Sequence, residues 1–228
     1  MSRKSSETTR DNILDSAEVL FAKSGYNGVS IREITDAAQC NIASVHYHFG
    51  NKENLYLEVF RDRWVPRAQR VHEYFRQELG DQEPSSLTVV VKALALAFLE
   101  GPLSDEERRR HHQLIARELA QPTEAFDLVA ELVTIPFFQK LSALLRPFMP
   151  PELTKEQVML NILCIFAMVL YFNFARVAVS RLTNQEYDKA FKARLVEHLT
   201  GFSLTGLGQA LPAEMKLAQE PQAVPTKI

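Results

Sequence analysis

The strongest constraint on this chain is a pair of helix-start signals that lie close together near its N-terminus. Ser30 is followed three residues later by Glu33, the pattern of a capping box, and a helix is therefore predicted to begin at about Ile31. Asn41 is a second N-cap residue, and the segment Ile42–Phe49 has room for only two helical turns. Two short helices joined by a tight turn are typical of a helix-turn-helix unit.

The predicted second helix has two unlike faces. At about 100° per residue, Val45 and Phe49 share an apolar side, with Ile42 at its edge. His46 lies at the boundary of that side, and the other side chains project elsewhere, namely Ala43, Ser44, Tyr47 and His48. No acidic residue occurs between positions 39 and 51. Nothing in this helix therefore repels a phosphate.

The segment Ala37–Phe49, followed by 51–55, resembles the recognition segment of TetR-family transcriptional regulators, and the resemblance covers roughly residues 8–60. The segment keeps the family's characteristic positions, which are Tyr47, His48, Phe49, Lys52, Glu53 and Leu55. It departs at four positions: the family favours glycine at Gln39 and Ala43, serine at Asn41 and tyrosine at His46. Asparagine caps a helix as well as serine does, and alanine is still small, so these departures do not threaten the fold. The histidine means that the family's base preference does not carry over.

The resemblance implies that the Ile42–Phe49 helix enters a major groove of double-stranded operator DNA. Ser44, His46 and Tyr47 are expected to contact base edges or nearby phosphates, and Arg32 is expected to bind a guanine. His48 and Lys52 are expected to contact phosphates, because Lys52 opens the next helix beside its unpaired N–H groups. The complete predicted DNA-binding set is Arg32, Ile42, Ala43, Ser44, His46, Tyr47, His48 and Lys52.

The rest of the chain shows helical periodicity and no strand pattern, which predicts an all-α fold of about nine helices. A three-helix helix-turn-helix domain is expected over residues 1–50, and a larger ligand-binding and dimerisation domain over 51–211. The proline-containing segment 212–228 is expected to be a disordered tail. Pro66 and Pro136 should kink or bend long helices. Thr154 is expected to cap a helix that runs to about 182, and Asn184 is expected to cap the last helix.

Composition and motifs bound the class of protein. The chain has 228 residues and a net charge of −2, so no strongly basic surface is indicated. The start of the chain is polar and lacks an apolar signal segment, which favours a cytoplasmic location. Cys40 and Cys164 are expected to be buried free thiols. Phosphate-binding glycine loops and nucleophile elbows do not occur in the sequence, which argues against an enzyme, and no cofactor is predicted.

The most apolar stretch, Val158–Val179, raises the question of a membrane span. Such a span needs about 20 apolar residues, whereas Asn161, Asn173 and Arg176 interrupt this stretch. Protein must therefore cover the helix on every side, and no membrane partner is expected. The family resemblance implies that the last two long helices pair with their mates in a four-helix homodimer interface.

Aromatic residues dominate the predicted interior of the second domain. Most should be ordinary core, but the family resemblance implies an apolar cavity for a small-molecule effector among the middle helices. The C-terminal domain also weakly resembles the CecR-type subgroup, through 117–122 and the Phe-rich helix that follows. Arg176 either reaches the surface or pairs with a carboxylate, or it binds an anionic ligand group. The predicted effector-binding residues are Phe98, Phe126, Phe137, Phe138, Tyr171, Phe172 and Arg176.

His111 and His112, with Glu118 on the same predicted helix, invite comparison with a metal site. No second ligand follows His112 one turn later, and three arginines at 108–110 add positive charge beside the pair. A metal site is therefore not predicted, and the helix is expected to present an exposed charged face or a histidine that lines a pocket.

These observations together predict a sequence-specific DNA-binding transcriptional regulator. The favoured form is a homodimeric repressor that a small apolar or amphipathic ligand releases from a palindromic operator. Two alternatives stay open at this point: a helical interaction scaffold that no longer binds DNA and, with less support, an enzyme.

Overall fold

The computed structural model describes residues 2–208, with side chains from Thr8 onward. Over this range the chain is helical without a strand, as expected for an all-α fold. Its α-helical segments are α1 (Ser2–Ser24), α2 (Ile31–Ala37), α3 (Ile42–Phe49), α4 (Lys52–Val59), α5 (Val65–Leu79), α6 (Leu87–Leu99), α7 (Asp105–Ala120), α8 (Glu124–Val129), α9 (Ile135–Leu145), α10 (Lys155–Phe174), α11 (Arg176–Thr183) and α12 (Lys189–Gly206). The predicted tail at 212–228 lies outside the described residues.

Both helix-start signals of the helix-turn-helix are confirmed. The Ser30 backbone N–H donates to the Glu33 carboxylate at 2.7 Å, and the Glu33 N–H donates back to the Ser30 hydroxyl at 3.2 Å. The Asn41 side chain accepts a hydrogen bond from the Ser44 N–H at 2.9 Å. Between the helices Gln39 has φ of 52°, a left-handed conformation in which glycine is less strained. Gln39, where the resembling family favours glycine, is thus the one strained residue of the turn.

The irregularities predicted at both prolines take the form of π turns. Pro66 and Pro136 each stand as the second residue of a helix that continues directly from a π turn, Phe60–Trp64 in one case and Ala130–Thr134 in the other. In the first turn the Val65 N–H donates to the Phe60 carbonyl, five residues back. Proline has no N–H and clashes with the carbonyl four residues earlier, so the wider turn accommodates it.

The described chain forms two compact units. Within residues 2–208, unit 1 contains 2–72 and Pro102–Phe137, and unit 2 contains Glu73–Gly101 and 138–208. Packing in unit 1 joins α7 to α1 and α8 to α4, which is why 102–137 belongs with the N-terminal helices. The functional division at residue 50 stays a prediction, and the packing division does not follow it.

Two predictions about the C-terminal helices are wrong. The helix capped by Thr154 ends at Phe174, and a break at Ala175 separates it from α11. Asn184 does not start the last helix but ends α11 in a left-handed conformation, with φ of 52°. Asparagine tolerates that conformation as well as it caps an N-terminus, so the sequence signal was ambiguous. The residue that caps α12 is Asp188, which accepts from the Phe191 N–H at 2.7 Å.

Helix α7 buries part of the polar surface that its sequence suggested would be an exposed charged face. Three of its polar residues are buried, Arg108, His111 and Glu118. The Glu118 carboxylate accepts from the Tyr56 hydroxyl at 2.6 Å, and burial, followed by this hydrogen bond, raises the pKa of Tyr56. The His111 ring stacks on Trp64 at 4.3 Å, and burial holds the pKa of His111 well below its ordinary value. The prediction failed for His111 and Glu118 because their partners lie on α4 and its π turn, far away in sequence.

The exposure of the two cysteines and of α10 also differs from expectation. Cys40 is a half-buried free thiol, but Cys164 is exposed, so the expectation of two buried thiols is wrong for Cys164. Cys164 lies on α10, which carries several other exposed apolar residues: Leu160, Leu163, Tyr171 and Phe174. By length and composition alone, Glu124–Phe148 and Lys155–Phe174 both qualify as candidate membrane spans within the described residues.

Candidate nucleic-acid interface

Helix α3 presents one continuous exposed face. Val45 and Phe49 are buried, as predicted. The exposed residues are Ile42, Ala43, His46 and Tyr47, which follow the i, i+1, i+4, i+5 spacing of one side of a helix. Tyr47 is 81% exposed. His46 lies inside this face instead of at its boundary, because Ile42 is also exposed.

Arg10 of α1 connects α3 to the two elements that follow it. Its guanidinium lies 5.4 Å from the centre of the Phe49 ring. The same group forms ion pairs with Glu58 at 2.7 Å and Asp62 at 2.8 Å, on α4 and the π turn that follows. One arginine of α1 therefore joins three consecutive elements. Sequence reasoning missed Arg10, since pairs between distant helices leave no local pattern.

A groove beside the exposed face of α3 faces α1. It has a volume of about 320 Å³ and is lined by Thr9, Asn41, Ala43, Ser44, Tyr47 and His48. Four of these six residues belong to the predicted DNA-binding set, and none of the six is acidic. Hydroxyl and amide side chains are among those that commonly contact phosphate oxygens. The structure adds Thr9 to the candidate interface, which the sequence alone did not link to α3.

Lys52 and Arg32 lie on the helices that flank α3. Lys52 is the first residue of α4 and is half-buried, with its ammonium 4.3 Å from the centre of the Tyr26 ring. Burial lowers the pKa of Lys52, and the neighbouring Glu33 carboxylate opposes that shift. Arg32 is exposed in the first turn of α2. The two predicted cations thus lie on the helices before and after α3, and the contact with the Tyr26 ring restrains the Lys52 side chain.

The His46 ring is fixed at the end of α3. Its Nδ1 atom lies 2.8 Å from the Gly50 carbonyl oxygen. Gly50 follows the helix with φ of 78°, a left-handed value that glycine adopts without strain. Next to it, the Tyr47 and His48 rings meet edge to face at 5.0 Å.

The predicted effector residues of unit 2 occupy several environments. Phe98 and Phe138 both contact the Phe166 ring edge to face, at 5.1 and 4.9 Å. Phe172 is half-buried against the unit 2 core, whereas Tyr171 is 53% exposed. The expectation that Tyr171 belongs to the interior of the single chain is therefore wrong, since it lies on the outer side of α10.

Arg176 is engaged within unit 2. Its guanidinium lies 5.0 Å from the centre of the Tyr187 ring, and it donates to the Asn173 side chain at 3.4 Å. The buried Asn173 in turn donates to the Phe98 carbonyl at 2.6 Å. The described contacts of Arg176 thus include an aromatic ring and a side-chain amide.

The other two predicted effector residues belong to unit 1. Phe126 is half-buried on α8, and the buried Phe137 stacks on His72 with ring centres 4.0 Å apart. Unit 1 also has a groove of about 570 Å³ that the sequence did not indicate, lined by Leu57, Arg61, Glu124, Asp127, Leu128, Glu131 and Leu132. Within residues 2–208 no group of three or more His, Cys, Asp or Glu side chains is placed to hold a metal ion.

Sequence comparison finds two matching families. Residues 13–59 match the tetR family of bacterial regulatory proteins, and residues 85–207 match the C-terminal domain of the HTH-type transcriptional dual regulator CecR. The chain is 24% identical to the CecR regulator of Shigella flexneri over 180 residues, which cover 76% of this chain and 79% of that protein. It is also 35% identical to the transcriptional repressor NicS of Pseudomonas putida, over 34% of this chain and 36% of the repressor.

Solved structures show the same fold. A transcriptional regulator from Rhodococcus sp. Rha1 matches with a TM-score of 0.63 at 20% identity, covering 89% of this chain and 99% of that one. The haemolysin II regulator HlyIIR matches with a TM-score of 0.57 at 23% identity, covering 86% and 98%. At these identities the structures support the fold alone.

Proposed function

Because this chain belongs to the TetR family of transcriptional regulators and has a CecR-type C-terminal domain, we propose that it is a homodimeric repressor acting in the cytoplasm. In this proposal it binds a palindromic DNA operator through α3 and leaves the operator when a small apolar or amphipathic effector binds. The family and its curated relatives are regulators and not enzymes.

The single observation that carries DNA binding is the exposed, carboxylate-free face of α3. DNA carries one negative charge per ~1.7 Å of helix axis, so an acidic side chain on this face would oppose docking. Ala43 and His46 occupy the middle of the face, where base edges are within reach. Ser44 and His48 line the adjoining groove with Thr9, which suits contacts to a phosphate backbone.

A second copy of the chain is the proposed cover for α10. Its exposed residues Leu160, Cys164, Ala167, Tyr171 and Phe174 follow the alternating four-and-three spacing of a coiled-coil seam. Phe202 on α12 is also exposed, at 61%, and α12 packs on α10 within unit 2. An apolar seam on two neighbouring helices supports four-helix pairing in a homodimer.

A membrane is the competing cover for this apolar surface. Lys155–Phe174 is long enough to span one, but its N-terminal turns contain Lys155, Glu156 and Gln157, and Asn161 follows one turn later. The apolar part is therefore shorter than the ~20 residues that a span needs. The buried Asn173 is satisfied by a carbonyl of α6, which supports packing against protein on that side.

The effector is proposed to bind among the aromatic residues of the CecR-type domain. An effector changes operator affinity only through its different affinities for two arrangements of the dimer, typically ~1–3 kcal/mol, or about 5- to 150-fold. Helix α5 begins in unit 1 and ends in unit 2, so it is the proposed carrier of that change. Linkage requires operator DNA to weaken effector binding by the same factor.

Selection from a random duplex library tests the operator proposal directly. We expect the purified protein to enrich two inverted half-sites with centres about one helical turn apart, ~34–36 Å. A compound panel ranked by thermal shift would then supply a ligand for titration with and without the selected duplex. If the selection enriches no sequence, operator binding is contradicted. If the ligand has the same dissociation constant with and without the duplex, release by that ligand is contradicted.

A further inference from the structure

The hydrogen bond between His46 and Gly50 determines which ring nitrogen carries a proton. The Nδ1 atom lies 2.8 Å from the Gly50 carbonyl oxygen. A carbonyl oxygen only accepts hydrogen bonds, so the donor in this bond is Nδ1–H. In the neutral imidazole the other nitrogen, Nε2, then has no proton and is an acceptor.

The same bond also restrains the direction in which the acceptor points. A histidine on a helix surface ordinarily samples several rotamers, whereas this ring is anchored four residues ahead in the sequence, beyond the end of α3. His46 is exposed and has Ala43 as its neighbour one turn earlier on the same face. Alanine has no side chain beyond Cβ, so it leaves room for a base edge next to the ring.

We infer that His46 reads one base in each half-site by accepting a hydrogen bond from an exocyclic amino group, the N6 group of adenine or the N4 group of cytosine. This inference rests on the proposed function, because it assumes that α3 occupies a major groove. In that groove only adenine and cytosine present amino donors, whereas guanine presents two acceptors and thymine an acceptor and a methyl group. The expected preference at this position is adenine or cytosine on one strand, and guanine or thymine there is disfavoured.

Tyrosine, which the resembling family favours at this position, offers the natural contrast. A phenol hydroxyl both donates and accepts, and its hydrogen rotates to suit the partner. A tyrosine at position 46 therefore accommodates amino and keto bases alike, whereas an anchored histidine that accepts through Nε2 does not. His46→Tyr is for this reason the informative conservative variant, and His46→Phe removes the polar atom altogether.

The experiment uses base analogues in the duplex selected by the wild-type protein. At each half-site position adenine is replaced by purine, or cytosine by pyrimidin-2-one, which deletes only the amino group. We expect wild-type affinity to fall about tenfold at one position per half-site, as for one lost hydrogen bond that leaves a buried acceptor. The adenine and cytosine arms identify which base supplies the group. At that position the loss should shrink to less than about twofold in His46→Phe, whereas His46→Tyr should also tolerate a keto base there.

Measuring each analogue duplex with wild type and variant separates recognition from weakened base pairing, because the pairing effect is common to both proteins. A structural role for His46 as a helix cap would lower the melting temperature of His46→Phe and leave the analogue losses unchanged, and that result would overturn the inference. The inference also fails if the wild type tolerates removal of every amino group. Those results leave operator binding intact, whereas failure to enrich any duplex would reject the proposed function as well.

Discussion

The outer faces of α3 and α10 are both exposed to solvent in a single chain, but they differ in the kind of partner that suits them. The α3 face is short and mixed, with Ala43, His46 and Tyr47 and no carboxylate. The α10 face is long and apolar, with Leu160, Cys164, Ala167, Tyr171 and Phe174 at coiled-coil spacing. An apolar seam gains stability when another apolar surface removes it from water, whereas a polar, acid-free helix suits a hydrated polyanion.

The two faces also differ in what holds them in place. Helix α3 has only eight residues, too few to be stable alone in water, and its position depends on the Asn41 cap and on Arg10. Helix α10 has 20 residues and a capping box, and its inner side packs on α6 and α12. Substitutions on the outer sides should therefore affect partners and not folding, and the following predictions test that separation.

The largest expected effect comes from Ala167→Glu. Ala167 lies mid-way along the exposed side of α10, and a twofold interface would bury two unpaired carboxylates at several kcal/mol each. The dimer dissociation constant should rise by at least about 100-fold, measured by sedimentation equilibrium. Ala167→Ser is the matched control and should dimerise like the wild type. A folded Ala167→Glu variant that remains dimeric would show that α10 is not at the interface.

The same seam allows a check on the wild type without any substitution. Cys164 is exposed in the single chain and Cys40 is half-buried, so a small thiol reagent should reach Cys164 first in a monomer. In the dimer the order should reverse, because α10 is covered. The alkylation rates of the two thiols, followed by mass spectrometry at high and low protein concentration, give the answer. A Cys164 rate that does not depend on concentration would argue against cover by a second copy.

Tyr47→Ala should have the next largest effect, and it should weaken DNA binding without changing stability. Tyr47 is 81% exposed, so its loss should change the free energy of unfolding by less than ~0.5 kcal/mol. Operator affinity should fall by at least about 10-fold, because the ring joins the exposed face to the groove beside α1. Tyr47→Phe is the control that separates the ring from its hydroxyl. A large fall in the melting temperature of Tyr47→Ala would mean that the side chain supports the fold.

What the sequence predicted correctly is local. The caps at Ser30 and Asn41 and the buried pair Val45 and Phe49 follow from spacing within one helix, so a single pattern was sufficient. The missed features join residues that are far apart in sequence. Glu118 becomes a buried partner of Tyr56 only when α7 packs beside α4, and no helical wheel contains that information.

The candidate site shows the same limit. The sequence identified the α3 residues because a family motif covers them, but it did not link Thr9 to their groove. Tyr171 was placed in the interior because aromatic residues usually are buried, whereas α10 keeps one side exposed. An exposed aromatic residue of a single chain becomes predictable only when the partner that covers it is known.

Lys52→Ala should have a smaller effect that does not depend on DNA sequence. Loss of one phosphate contact should lower the slope of log affinity against log salt by roughly 1. Because the ammonium also contacts Tyr26 at 4.3 Å, the variant should lose up to ~1 kcal/mol of stability. Lys140→Ala, an exposed residue of α9, is the control for net charge. Altered discrimination between sites with an unchanged salt slope would assign Lys52 to base recognition.

Gln39→Gly should have the smallest effect and should leave both faces unchanged. Gln39 has φ of 52°, a conformation that costs a non-glycine residue more than glycine. We expect the free energy of unfolding to increase by about 0.5–1 kcal/mol, measured by urea denaturation, with unchanged operator affinity. A loss of DNA binding would mean that the strained turn itself helps to orient α3.

The central claim is that α3 binds DNA and that α10 binds a second copy of the chain. Its most direct test is the mass of the protein–DNA complex. Native mass spectrometry should compare the wild type and Ala167→Glu on the selected duplex and on a duplex with one half-site. The account predicts two wild-type chains of 25.9 kDa on the full duplex, and weak binding of single Ala167→Glu chains to either DNA. A single wild-type chain on the full duplex, or equal affinity of both proteins for it, would contradict the account.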